Sequence, residues 1–361
     1  MKKYIKHSII IFSLLIGLFL IIWLYDHFGL RDIWFQFKKI QLWQWLLVFI
    51  LTILILFFKT LRLKFIIEDV ISRKIPFKTY LKSRLVEFTI SYLLPTVIGG
   101  ELPQAYVLKK DAGVPVMKGL FSALIEKIID ALSFFVLIFF TGIFLLIGGK
   151  SFFGWLILIL TLALFLILYF LMELVGVDKL LLFLSKILGL NKVKYKSDVV
   201  GKTSVGERIT TLGKEASVYL RRRGTRLYWT IIFTLISFVF WFLQAYVVLS
   251  AMGLRIQIDE MLIVKILTLL STFSPIPADI GAFEGAYVVS FGLINLPVQA
   301  AIALSIVMRF FDFILIIIGI FIIIHYTRKL VFNFAGLLEK GDENNGVNAN
   351  GVNESFEEKE L

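Results

Sequence analysis

Hydrophobic residues run through this chain in blocks longer than the core of a soluble domain uses. Full membrane spans are predicted at 7–25, 41–59, 119–148, 152–174, 227–250 and 299–326, because crossing the bilayer's hydrocarbon takes about 20 apolar residues. Two regions between them, roughly 80–110 and 260–297, are half hydrophobic and interrupted. The first interruption reads Leu94-Pro95-Thr96-Val97-Ile98-Gly99-Gly100-Glu101-Leu102-Pro103. The second reads Ser274-Pro275-Ile276-Pro277-Ala278-Asp279-Ile280-Gly281-Ala282-Phe283-Glu284-Gly285. Lipid cannot satisfy the backbone groups that such breaks free, so broken backbone at membrane depth must lie inside protein or line a wet cavity. The pattern therefore predicts an all-α, polytopic integral membrane protein: about six full spans plus two opposed re-entrant, broken-helix hairpins.

The placement of Lys and Arg sets the expected orientation. Lys2, Lys3 and Lys6 put the N-terminus in the cytoplasm, as do Lys59, Arg62, Lys64, Arg73, Lys74, Lys78, Lys82 and Arg84 for the loop after the second span. Arg221-Arg222-Arg223 and Arg226 do the same for the central segment, and Arg328 with Lys329 for the C-terminus. Arg62 and Lys64 read as headgroup anchors at the end of the second span. For this topology to close, the two hairpins must enter from opposite faces, as an inverted repeat would require. That symmetry rests on topology, since no residue-level repetition is evident. The expected organisation is an N-terminal membrane half (1–174), a basic amphipathic helix and linker (175–226), a C-terminal membrane half (227–330) and a disordered acidic tail (334–361).

Composition sharpens the picture. A hydrophobic share of 59% and a mean hydropathy of +0.89 place the chain outside ordinary soluble domains. The net charge of +12 understates the basicity of the membrane part, because the segment from Phe334 holds seven acids against two bases, leaving +17 before it. Those bases border apolar spans, so the positive-inside rule accounts for them and no nucleic-acid partner is expected. There are no cysteines, which excludes disulfides and thiolate metal sites. His7, His27 and His325 lack ligand spacing, and no GxxxxGK[ST] loop occurs, so no metal, cofactor or nucleotide is expected.

Ionisable groups inside spans are costly and therefore candidates for function. Glu101, Asp279 and Glu284 sit at or beside the breaks, where half-helix ends expose unpaired N–H or C=O groups. Pro95, Gly99, Gly100, Pro275, Pro277 and Gly281 supply the breaks and allow close backbone approach. Glu126 and Asp130 share a helix face beside Lys127, and two such acids repel unless a cation or donor lies between them. Arg309 and Asp312 share a face of the last span, which suits either a self-neutralising pair or a role near substrate.

Four of these stretches, in this order and spacing, resemble the transmembrane region of lysylphosphatidylglycerol synthases, a flippase-like family. They are Lys59-Thr60-Leu61-Arg62-Leu63-Lys64; Leu94-Pro95 with Gly99-Gly100-Glu101; Glu126-Lys127 with Asp130; and Pro275-x-Pro277 with Gly281, Glu284 and the later Arg309. The chain departs from the family pattern where Gln104 and Lys127 replace arginines and Ala278-Asp279 replaces paired glycines. The Gln104 and Asp279 exchanges make the expected cavity more negative, which favours a cationic, zwitterionic or sugar headgroup. Some 30 residues follow the last span, too few for the relatives' soluble aminoacyl-transferase domain, so the resemblance implies translocation without synthesis.

The expected function is that of a lipid translocase in the cell membrane, moving a modified phospholipid or lipid-linked sugar between leaflets. Its substrate-binding residues would be Glu101, Gln104, Glu126, Lys127, Asp130, Asp279, Glu284 and Arg309. Its partners would be membrane lipids and a separate lipid-modifying or glycosyltransferase enzyme. The alternatives are a membrane-embedded lipid-linked transferase using Asp26 and Asp32, and a non-catalytic subunit recruiting a synthase through Arg221–Arg223.

Overall fold

The computed structural model describes residues 30–93, 100–149, 151–175 and 225–348, apart from 273 and 275. Every regular element among them is helical. In chain order these are α1 (Leu30–Lys38), α2 (Leu42–Ile71), α3 (Phe77–Leu93), α4 (Glu101–Ala112), α5 (Val116–Ile147), α6 (Ser151–Val175), α7 (Thr225–Ala251), α8 (Ile258–Ser271), α9 (Ala282–Leu293) and α10 (Val298–Asn348). A 3₁₀ turn, Pro277–Asp279, lies between α8 and α9.

Four of the helices are long and apolar enough to cross a membrane: α2, α5, α7 from Tyr228, and α10 as far as Tyr326. The span expected at 7–25, the basic segment 176–224, and Pro95, Gly99 and Pro275 lie outside the described residues. α2 continues twelve residues beyond the expected end at 59, because Phe65-Ile66-Ile67 and Val70-Ile71 prolong its apolar face past the basic positions. It stops at Ser72, which turns left-handed at φ 53°. α10 runs on as backbone to Asn348, into the segment read as a disordered tail.

Both interrupted regions are helical hairpins. The 12-residue α4 and α9 rise about 18 Å, short of the ~30 Å hydrocarbon. Each packs back on the helix before it, α4 on α3 and α9 on α8. Their bases lie at opposite ends of the bundle. The first hairpin runs directly into the start of α5 through Gly113-Val114-Pro115. The second begins beside the far end of α5, where Asp259 Oδ2 lies 3.4 Å from the place a Cβ on Gly148 would take.

The two halves repeat one plan: long helix, hairpin, long helix. α2 and α7 pack together along their length and run antiparallel, since Thr52 meets Gln244 (2.6 Å), Phe58 meets Phe240 and Phe65 meets Phe233. α3 packs on α10, and α8 on α5, so each hairpin leans on the last helix of the other half. The junctions also match. Gly113 (φ 66°) and Asn295 (φ 55°) both turn left-handed, and each is followed by one apolar residue and a proline that opens the next long helix. The principal core is in the second half, around Met261, Tyr287, Phe291, Leu304 and Val307, with α1 packed onto it through Ile33 and Ile40.

Candidate functional site

Arg309 stands in the middle of the last span and uses its whole guanidinium. It donates to the main-chain carbonyls of Ala278 (2.7 Å) and Asp279 (3.1 Å) and to both carboxylate oxygens of Glu284. It also donates to the hydroxyl of Tyr92, at the end of α3. Ala278 (φ 56°), Asp279 (φ 49°) and Gly281 (φ 80°) are all left-handed. The first two carbonyls are thereby turned onto the cation, in the conformation glycine adopts most freely. Glu284 is buried, and its other bond is from the N–H of Gly281 (2.8 Å), so it caps α9 while neutralising Arg309. Because Tyr92 belongs to the first hairpin and Glu284 to the second, this one arginine ties the two together.

A second charged cluster joins the first hairpin to α2 and α5. Arg62 donates from Nε to Glu126 Oε1 (3.0 Å) and from Nη2 to Asp130 Oδ2 (3.1 Å). Its Nη1 donates to Asp130 Oδ1 and to Thr234 Oγ1 of α7 (3.2 Å). Arg84 of α3 bonds the same Glu126 oxygen, as well as Glu87 (3.1 Å) and the carbonyl of Lys59 (3.3 Å). The headgroup-anchor reading of Arg62 is therefore corrected. It is 3% exposed and is the cation that the Glu126–Asp130 pair requires. The signal was in the sequence: apolar residues continue past Arg62, and an acid pair inside a span needs a partner. Lys59 and Arg84, read with the basic loop, lie instead inside α2 and α3, and Glu87 and Tyr92 were missed because nothing local marks α3 as packed inside the bundle.

The remaining candidates are placed as follows. Lys127 faces Glu101 at 3.2 Å, but Glu101 is buried and neither of its oxygens has hydrogen-bond geometry to a partner. Gln104, one turn on, is 1% exposed with an unpartnered Nε2, while its carbonyl accepts from Ser83 (3.1 Å). Gly100 lies so close to α3 that a Cβ would meet the backbone at Glu87 and the side chain of Ser91. Asp279 contributes its carbonyl to Arg309, and Asp312 does not pair with Arg309. Lys265 of α8, not foreseen, is 1% exposed, with its Nζ 3.9 Å from the centre of the Trp241 ring and no hydrogen-bond partner. Among the described residues, no group of three His, Cys, Asp or Glu is arranged to hold a metal ion.

The halves also repeat at the level of residues. Lys127 lies twelve residues beyond Pro115 and Arg309 twelve beyond Pro297, and each is followed three residues later by an aspartate, Asp130 or Asp312. Each cation pairs with a carboxylate at the start of its own hairpin's second helix, Glu101 or Glu284.

Residues 10–319 match the lysylphosphatidylglycerol synthase TM region. A UPF0104 membrane protein of Methanocaldococcus jannaschii is 25% identical over 277 residues, covering 75% of this chain and 80% of that protein. No solved structure matches the chain. The broken hairpins, their carboxylates and the cations that meet them are thus features of a polytopic membrane protein that belongs to the lysylphosphatidylglycerol synthase transmembrane-region family.

Proposed function

We propose that the chain moves an amphiphile between bilayer leaflets, passing its headgroup through the polar centre of the bundle. The observation that carries this reading is the meeting of two opposed hairpins at Arg309, deep among apolar helices. Hairpins entering from opposite ends bring half-helix termini and charged side chains to the midplane, which is where transporters with inverted repeats bind substrate. Such groups are costly in lipid, and a site that handles a polar headgroup supplies a reason to keep them there. Glu101, Gln104, Lys127 and Asp130 line this centre from the first half, and Asp279, Glu284 and Arg309 bound it from the second. With no nucleotide site in the sequence, transport would run on a lipid gradient, an ion gradient or a partner enzyme. The basic end around Arg73, Lys74, Lys78 and Lys82 supports a cell-membrane orientation with both termini cytoplasmic.

The test is leaflet exchange of fluorescent lipids in proteoliposomes, wild type beside Glu101→Gln. Exchange in wild type that drops at least tenfold in the variant supports the reading and places the headgroup at the first hairpin. Equal rates would remove Glu101 from the site. No exchange for any lipid tested, with both proteins monodisperse, would overturn the translocase reading.

A further inference from the structure

Lys265 is a buried cation for which the transport site described so far has no use. It is 1% exposed, its Nζ has no hydrogen-bond partner among the described residues, and it sits 3.9 Å from the centre of the Trp241 ring. An ammonium left this way in a dry interior is costly. The other half of the molecule handles the equivalent position differently.

α2 and α7 correspond at a spacing of 182 residues, which matches Thr52 with Thr234, Phe58 with Phe240, Lys59 with Trp241 and Arg62 with Gln244. The contacts are reciprocal. Gln244 donates to Thr52 (2.6 Å) as Arg62 donates to Thr234 (3.2 Å), and Phe58 packs on its own counterpart, Phe240. In the hairpins, Arg84 is the eighth residue of α3 and Lys265 the eighth of α8. Each reaches the corresponding residue of the long helix before it: Arg84 donates to the carbonyl of Lys59 (3.3 Å), and Lys265 lies over Trp241. Their counter-charges differ. Arg84 pairs with Glu126 and Glu87. The corresponding positions hold Met308, 182 residues after Glu126, and Thr268, the eleventh residue of α8 as Glu87 is the eleventh of α3. The second half thus has the cation and lacks both counter-ions.

We propose that Lys265 is an oxyanion-binding group whose counter-ion is the phosphodiester of a lipid headgroup. This rests on the translocase reading above and adds to it a subsite in the second hairpin. One unpaired ammonium matches the single negative charge of a phosphodiester, whereas a phosphomonoester carries close to two. Lysine binds phosphate as a point charge, and a charge-assisted hydrogen bond is a stronger contact than a cation over a ring. An arriving phosphodiester therefore draws the ammonium off Trp241. That ring is half-buried and lies against Nζ, so its rotation opens the subsite.

The experiment is calorimetric titration of the detergent-purified protein with dihexanoyl phosphatidylglycerol, dihexanoylglycerol and inorganic phosphate, with tryptophan emission recorded in parallel. Wild type should bind the phospholipid roughly tenfold or more tightly than either other probe, the scale of one charge-assisted hydrogen bond. Lys265→Met should weaken phospholipid binding by about the same factor. Lys265→Arg, which installs the residue type of the other half, should retain binding, as a position with a merely structural role for the side chain's length would not require. The phospholipid should shift tryptophan emission in wild type, and this shift should be lost in Trp241→Phe and in Lys265→Met. Unchanged phospholipid binding in Lys265→Met, or either other probe binding as tightly as the phospholipid, would overturn the proposal. Lys265-dependent binding without leaflet exchange would overturn the translocase reading alone, and leaflet exchange without Lys265-dependent binding would overturn this one alone.

Discussion

Lys127 and Arg309 occupy equivalent places in the two halves, each paired with a hairpin carboxylate, yet only Arg309 is fully bonded. Arg309 meets two carbonyls, a carboxylate and a tyrosine, while Lys127 meets Glu101 alone and keeps a half-exposed side chain. The second pair reads as a fixed joint and the first as an adaptable one. This difference separates the consequences of mutating each.

Glu284→Gln should be the more destabilising of the two hairpin-acid substitutions. It leaves a buried guanidinium without its counter-ion, a change that costs about 3–5 kcal/mol when one partner of a buried pair is removed. Detergent-based thermal unfolding should show a clear drop. The double variant Glu284→Leu/Arg309→Met should recover much of the loss, since it removes both charges. A double variant as unstable as the single one would show that the carbonyl and Tyr92 contacts carry the joint.

Arg62→Met should unfold at markedly lower denaturant than wild type, because it leaves Glu126 with Arg84 alone as ion-pair partner and takes from Asp130 the guanidinium that pairs with it. The expected loss is again about 3–5 kcal/mol. Asp130→Asn should cost less, because that side chain is 44% exposed and water offsets part of the change. Equal effects in titration with a denaturing detergent would mean that Arg62 acts through Thr234 and packing.

Close approach of α3 and α10 depends on Gly319. A Cβ there would fall on Thr89 and come within 2.8 Å of the carbonyl of Leu85. Gly319→Ala should therefore lower thermal stability by about 1–3 kcal/mol through overpacking. Gly285→Ala is the control. A Cβ at Gly285 meets nothing within 4 Å, so removing the flexibility of a helical glycine should stabilise by roughly 0.5–1 kcal/mol. The same direction of change in both variants would refute the packing argument.

Lys265→Met should keep the fold and raise the apparent Tm. The ammonium is buried over an aromatic face without a hydrogen-bond partner, and a hydrophobe of similar length removes its desolvation cost, a gain of about 1–4 kcal/mol for well-packed replacements of buried ion pairs and of that order here. A large drop in Tm would show that the cation over Trp241 is a structural contact stronger than its desolvation.

Much of the fold was legible in the chain. Block length gave four spans whose helices are seen, and the Pro/Gly/acid interruptions gave both hairpins and the carboxylates at the start of α4 and α9. The repeat of a proline, a cation twelve residues on and an aspartate three later was also present as text. It went unseen because the cation differs, Lys127 in one half and Arg309 in the other, and the flanking residues diverge. Arg62 was misplaced because a basic residue after an apolar run has the same local appearance whether it ends a span or sits inside one.

What the sequence determined alone is the set of elements, because hydrophobic length and backbone breaks are local properties that lipid enforces residue by residue. Pairing was decided only by the tertiary structure. Which acid Arg309 takes, and which cation Glu126 and Asp130 share, depend on which helices face one another across the bundle. In a medium that cannot solvate charge, those neighbours alone settle which group is satisfied and which is left open.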